Sequence, residues 1–338
     1  MANRKISYRE AINEALVQEM ERDETVIILG EDVAGGAGTP GEDDAYGGAM
    51  GVTRGLFGRF PGRVLDTPIS ESAFIGAAIG AATRGLRPVA DLMFMDFVGV
   101  CLDQIMNQAA KLRYMSGGKA RTPVTIRAMY GAGLNFGAQH SQTPYPIFAS
   151  IPGLKVVVPA GAYAAKGLMI QAIRDDDPVI FCEHKVLYDE KGDVPEEAYT
   201  LPFGEASVER DGDDVTIVAI GRMVALAREA AADLAAAGVS AEVIDPRTIS
   251  PLDLDTILES VAKTGRLIVA DEASPRCNVA ADISAQVVSA AFGDLKAPIR
   301  MVSPPHTPVP FAPCLEDLYL PGAEDLARAA KFVVEWSR

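Results

Sequence analysis

Short runs of β-branched and aliphatic residues alternate with helix-like stretches along almost the whole chain, and this alternation most narrows the fold. Strand-like runs at 25–30, 64–67, 88–94, 124–129, 154–158 and 179–182 are interleaved with helix-like stretches at 7–22, 70–85, 98–115 and 162–174. Such a pattern implies a mostly parallel sheet with helices on both faces. It breaks at 184–203, a polar segment holding Lys191-Gly-Asp, Pro195-Glu-Glu and Pro202. It then restarts, with strands at 215–220, 239–244, 266–270 and 299–302 and helices at 222–237, 253–263, 279–292 and 323–336. The sequence therefore predicts an α/β protein of two parallel-sheet domains, 1–190 and 204–338, joined by a linker at 191–203. A length of 338 residues suits two domains.

Local signals sharpen this outline. Ser7 followed by Glu10 is a capping-box pattern that opens the first helix. The helix after 70 carries Gly76 and Gly80 among alanines, although glycine costs roughly 1 kcal/mol against alanine in a helix. Either tight packing within the domain or a close helix pair at a subunit interface would account for them. The stretch 31–51 is long, acidic and glycine-rich, as functional loops often are.

Charge and motifs exclude several functions. With 46 acidic against 31 basic residues the net charge is -15, which disfavours nucleic acid and anionic membrane as partners. Cys101, Cys182, Cys277 and Cys314 form no CxxC pair, which argues against a zinc site and a disulfide framework. Arg84 interrupts the most apolar run, and the first residues lack the apolar core of a signal peptide, so a cytoplasmic protein is expected. There is no GxxxxGK[ST] and no GxSxG. Gly131-Ala-Gly133-Leu-Asn-Phe-Gly137 has one residue too many for a dinucleotide fingerprint and follows a later strand. His140, His184 and His306 lack metal-ligand spacing, so no metal site is expected.

Three features are candidates for chemistry. Glu71 follows a strand and opens a helix, a place where ligands of open α/β sheets collect. A glutamate there also stabilises the helix dipole by roughly 0.3–1 kcal/mol without any chemistry. Met93, Phe94, Met95 and Phe97 end the next strand. They are either core or, beside a carboxylate, a wall for a flat heterocycle. His140 sits among polar residues in a glycine-rich loop, where a histidine is a better candidate than on an apolar face.

These residues also carry a resemblance. Asp66-Thr-Pro-Ile-Ser-Glu71, Gly85-Leu-Arg-Pro88, Met93-Phe-Met, Asp103-Gln-Ile, Tyr114-Met-Ser-Gly-Gly118, Gln139-His-Ser-Gln142, Pro152-Gly-Leu-Lys-Val-Val-Val-Pro159 and Asp245-Pro-Arg-Thr-Ile-Ser-Pro-Leu-Asp253 stand in order along the chain. Together they resemble the β subunits of thiamine-diphosphate-dependent 2-oxo acid dehydrogenases, of the transketolase-like group. The stretch from Glu31 to Gly48 and the run Asp175-Asp-Asp-Pro-Val-Ile-Phe-Cys-Glu-His-Lys185 are most similar to the acetoin-cleaving branch.

The resemblance implies a pyrimidine-binding domain followed by a transketolase-type C-terminal domain. It implies thiamine diphosphate as cofactor, with Glu71 favouring the reactive tautomer of its aminopyrimidine. Ile69, Met93 and Phe97 match positions lining the aminopyrimidine pocket. His140 matches a histidine that assists proton transfer or meets the lipoyl arm. The magnesium-binding Gly-Asp-Gly is missing, Asp211-Gly-Asp being the reversed order. In this family that motif lies on an α subunit. The implied assembly is an α2β2 heterotetramer serving a lipoyl-bearing acyltransferase, with acetoin as substrate and pyruvate or another 2-oxo acid as the alternative.

Overall fold

The computed structural model describes residues 4–35 and 47–337. Much of the 31–51 loop, including most of its acetoin-like stretch, lies outside the described residues. The elements run β1 (Lys5–Ser7), α1 (Tyr8–Arg22), β2 (Val26–Gly30), α2 (Leu56–Arg59), β3 (Val64–Asp66), α3 (Glu71–Ala82), β4 (Arg87–Phe94), α4 (Val98–Asp103), α5 (Leu112–Met115), β5 (Thr125–Tyr130), α6 (Tyr145–Ala149), β6 (Lys155–Val157), α7 (Ala162–Arg174), β7 (Val179–His184) and β8 (Lys191–Asp193). They continue with β9 (Ser207–Arg210), β10 (Val215–Ala219), α8 (Met223–Ala236), β11 (Ala241–Asp245), β12 (Thr248–Ser250), α9 (Leu254–Thr264), β13 (Leu267–Ala270), α10 (Val279–Ala291), β14 (Arg300–Val302), α11 (Pro313–Tyr319) and α12 (Ala323–Val334).

The chain forms two units. The first holds 1–130 and 147–203; the second holds 131–146 and 204–338. In the first unit, strands in the order β6-β7-β5-β4-β2-β3 pair in parallel. Their residues are buried aliphatics with few polar interruptions, as a sheet covered on both faces requires. α1 packs on α7, and α3 packs on α4. The expected capping box opens α1: Ser7 N–H donates to Glu10 Oε2 at 2.7 Å, and Glu10 N–H donates to Ser7 Oγ at 3.3 Å.

Two expectations are revised. The helix expected at 98–115 is interrupted by a π-helical turn, Gln104–Ala109, and breaks before α5. At the break, a Cβ on Gly153 would lie 2.2 Å from the Ala110 carbonyl oxygen, so a distant loop presses on the helix there. The stretch 191–203, expected as a linker, packs on the first unit. β8 pairs antiparallel with β1, and the Tyr199 ring stacks on Tyr163 at 4.8 Å. The fully buried Lys166 holds the stretch down: the three N–H donors of its Nζ are shared among four acceptors, Glu14 Oε1 at 2.6 Å and the carbonyl oxygens of Pro195, Glu196 and Glu197 at 2.7, 2.9 and 3.0 Å. A buried ammonium is tolerable only when its donors are satisfied in this way.

In the second unit the order is β14-β13-β10-β11-β9, parallel except for the antiparallel edge strand β9. α8 packs with α12, and α9 packs with α10. Two layers of helices on one sheet follow from right-handed crossovers that change direction at β10. Asp253 caps α9, its Oδ1 accepting from Thr256 N–H at 3.1 Å.

Asp245, at the end of β11, is buried and accepts the N–H of Arg247 at 2.8 Å. Burial pushes its carboxyl up to about 7, and the Glu209 charge adds to the rise. A folded pKa above the unfolded value of about 4 means stability that is present below about pH 4. That stability is lost as pH rises to about 7. Asp245→Asn should remove this dependence, stabilising the chain at pH 8 by up to about 4 kcal/mol. Thermal melting at pH 5 and pH 8 checks it; an unchanged pH slope in the variant would exclude Asp245 as its source.

Candidate active site

The first sheet changes winding direction at β2, with β3 on one side and β4 on the other. Crevices beyond the carboxyl ends of strands at such a point are where open α/β sheets bind ligands. Three adjacent strand ends lead into residues of interest on that side of the sheet: Glu31 after β2, Ile69 and Glu71 after β3, and Met93 and Phe97 at and beyond the end of β4. Gly30 ends β2 without a side chain because a Cβ would sit 2.6 Å from the Asp91 carbonyl oxygen. Asp66 at the end of β3 accepts the N–H of Ala34 at 2.7 Å, holding the start of the loop that follows β2.

Glu71 is the first residue of α3 and is half-buried. Its charge is felt by its neighbours. Burial, followed by the charges of Asp32, Glu71 and Asp91, holds the Glu31 carboxyl above the usual carboxylate range. Burial pushes the Cys101 thiol up to about 12, with Glu71 adding to it. Phe97 is half-buried and meets Phe94 edge to face at 5.6 Å. Ile69 is 74% exposed. Met95 is core, fully buried.

Met93 has a left-handed backbone, φ 65°, an unusual conformation for a side chain without special local bonding. It lies in an irregularity of the β4–β5 pairing between Asp91 and Phe94. What holds it is a buried charge network that sequence reasoning missed. Asp91 Oδ1 accepts Met93 N–H at 2.9 Å, while Asp91 Oδ2 accepts from Arg127. The guanidinium also forks onto Glu183, Nε to Oε1 at 2.7 Å and Nη2 to Oε2 at 2.6 Å, and Tyr188 donates to Glu183 Oε2 at 2.8 Å. All three charges are buried. Asp91 and Glu183 hold the Arg127 guanidinium well above its usual range in spite of burial. The sequence signal was present, as a charged residue inside each of three largely apolar strands, Asp91 in β4, Arg127 in β5 and Glu183 in β7, with the cation on the middle strand. A cavity of about 10 Å3 lies between Glu31, Asp91, Met93, Arg127 and Met129, with room for roughly one water.

His140 belongs to the second unit, within the loop 131–146, and is half-buried. Ile69, Glu71, Met93 and Phe97 belong to the first.

The model of the transketolase pyrimidine-binding domain matches residues 4–191, and that of the transketolase C-terminal domain matches residues 204–326. The chain belongs to the transketolase family. It is 66% identical over 328 residues to the acetoin:2,6-dichlorophenolindophenol oxidoreductase subunit beta of Cupriavidus necator, covering 97% of each chain. It is 56% identical to the protein of that name from Bacillus subtilis, covering 94% of each. Identity is 47% to the pyruvate dehydrogenase E1 component subunit beta of Rickettsia bellii, covering 97% of this chain and 98% of that one. Among solved structures, a split-gene transketolase in the form of an inactive β4 tetramer matches with a TM-score of 0.78 at 26% identity, covering 98% of this chain and 99% of that one.

Removing the cation from the buried network leaves two carboxylates without it. Arg127→Met should cost about 3–5 kcal/mol, because a buried charge deprived of its partner keeps its full desolvation penalty. Denaturant unfolding of the variant measures this; a loss below about 1 kcal/mol would mean that water reaches and solvates Asp91 and Glu183.

Proposed function

We propose that this chain is the β subunit of a thiamine-diphosphate-dependent enzyme that cleaves acetoin to acetaldehyde and an acetyl group, the latter passed to a lipoyl-bearing acyltransferase. The observation that carries the reading is the placement of Glu71. It is a half-buried carboxylate at a switch point of the sheet, at the start of α3 after β3, with Met93 in β4 and Phe97 just beyond it on the other side of β2. A carboxyl group beside apolar side chains fits a flat heterocycle with a ring nitrogen to be hydrogen-bonded. When bound, thiamine diphosphate supplies a nucleophilic carbon that can add to a ketone and hold the charge left when the carbon–carbon bond breaks. Glu71 would hold a proton at the aminopyrimidine ring nitrogen, and Ile69, Met93 and Phe97 would orient the ring and exclude water. His140 would move a proton during transfer to the lipoyl arm.

The substrate assignment rests on the relatives. Identity is higher to the two acetoin oxidoreductase subunits, 66% and 56%, than to the pyruvate dehydrogenase subunit, 47%.

An α subunit is required in this reading, in an α2β2 heterotetramer, with that subunit holding Mg2+ through the Gly-Asp-Gly motif this chain lacks. Exposed large apolar side chains on the first unit support a covering partner: Ile69, Val100, Met106, Tyr114 and Met115 are all exposed. Along α3 the small residues Ala73, Ala77 and Gly80 are exposed as well, and nothing lies within 4 Å of a Cβ built on Gly80. Four free cysteines fit a cytoplasmic, reducing location. Among the described residues no helix is long and apolar enough to cross a membrane.

Two measurements test the proposal. The chain co-expressed with its α partner should turn over acetoin faster than pyruvate with a dye acceptor. A preference for pyruvate would keep the site and move the substrate to a 2-oxo acid. Glu71→Gln should lower turnover by about 100-fold or more while the assembly stays intact by size-exclusion chromatography. Near-parental activity in that variant would remove Glu71 from the mechanism.

A further inference from the structure

The loop that carries His140 has an unusual backbone. Gly131, Gly133, Asn135 and Gly137 all take left-handed conformations, with φ of 92°, 105°, 58° and 72°. Glycine takes such angles readily, but a left-handed asparagine among them persists only where its surroundings over-determine the path. Carboxylates of the second unit do so at three points. Glu272, just beyond β13, accepts the N–H of Ala132 at 2.8 Å, and its other oxygen accepts from Arg222 Nη1 at 3.1 Å. Glu316, inside α11, accepts the N–H of Asn135 at 2.8 Å. Asp271 accepts the hydroxyl of Tyr145, where the loop leaves the unit. All three carboxylates are buried. The second oxygen of Glu316 is buried with no hydrogen-bond partner among the described residues, so Asn135 supplies the bond that carboxylate has to lose. Gly131 N–H closes the base of the loop on the Gln142 carbonyl at 3.1 Å.

We propose that Glu316 and Glu272 are positioning residues that hold the His140 loop in a single conformation for proton transfer, which gives the C-terminal unit a direct part in the reaction. This rests on the role assigned to His140 above. Releasing the Asn135 N–H frees the left-handed segment to relax, and the imidazole five residues on moves with it. Misplacement by about an ångström can cost on the order of 100-fold in rate.

The test uses the assembled enzyme and reads lipoyl acylation together with hydrogen exchange across 131–146. Glu316→Ala should speed exchange in the loop and slow acylation by about 10- to 100-fold. Glu316→Gln keeps an oxygen for Asn135 and should restore both. Combined with His140→Ala, Glu316→Ala should add nothing, because both changes remove the same function. Losses that multiply in the double variant, failure of Gln to restore the rate, or unchanged exchange in Glu316→Ala would each overturn the proposal. Parental acylation by His140→Ala alone would remove the histidine's role, and with it the catalytic purpose of the strap. That failure is recognisable because Glu316→Ala would still loosen the loop.

Discussion

Arg127 is the side chain on which the first unit depends. Asp91 and Arg127 are register partners across β4 and β5, and Glu183 on β7 is paired two residues further along β5, with Met129. All three therefore project from the same face of three adjacent central strands. Burying one cation and two anions is not a source of stability in itself, since desolvation offsets much of the attraction. What it supplies is register. A slip of one residue in any of the three strands would turn its charge to the opposite face and leave the others unpaired. The consequence reaches the candidate site directly, because the Asp91 carboxylate that Arg127 holds also fixes the Met93 N–H. The end of β4, with the left-handed backbone of Met93, is thus shaped from beneath by a charge network.

The environment of each carboxylate decides what it does. Glu183 spends both oxygens on Arg127 and Tyr188 and is shut off from solvent. Asp245 is buried, and its burial with the Glu209 charge outweighs the Arg247 N–H and the Arg247 charge, so its carboxyl is pushed up to about 7. Glu71 is neither sealed nor paired within a network of that kind, and it is its half-buried place at a switch point that the proposed function uses. The same residue type thus yields a register lock, a titrating group and a candidate catalytic group, separated by burial and by how many donors surround each.

The legible part of the fold was the part written in local pattern. The alternation of apolar strands with helices announced two doubly wound sheets, the Ser7–Glu10 pair marked the start of α1, and Glu71 was read at the start of the helix that follows a strand, where α3 begins. Features made by distant contacts were silent. The π-helical turn at 104–109 accompanies a loop arriving at Ala110 from forty residues away in sequence, at Gly153. The 191–203 stretch reads as polar linker, yet its carbonyls are held by a lysine on α7. The glycines of 131–137 fail as a dinucleotide fingerprint because their spacing serves a different end, a left-handed path tied to carboxylates that lie more than a hundred residues downstream.

One device recurs where the backbone departs from ordinary geometry. Of the five non-glycine residues with positive φ among the described residues, three donate their N–H to a buried carboxylate: Met93 to Asp91, Asn135 to Glu316 and Arg247 to Asp245. A left-handed L-residue costs roughly 1–2 kcal/mol. A hydrogen bond to a charged acceptor contributes about 1.5–3 kcal/mol, and a buried carboxylate left without its donor would lose more than that. The bond therefore outweighs the strain, and it does so only in the strained conformation, because an extended or right-handed backbone aims the N–H elsewhere. Each bend is consequently held in one state instead of being shared among several. Two of the three bends lie at or within a few residues of a candidate site residue, Met93 itself in one unit and His140 in the other. Both halves of the proposed chemistry are then set by the same means: a carboxylate placed on a rigid element, reading the direction of a single backbone N–H.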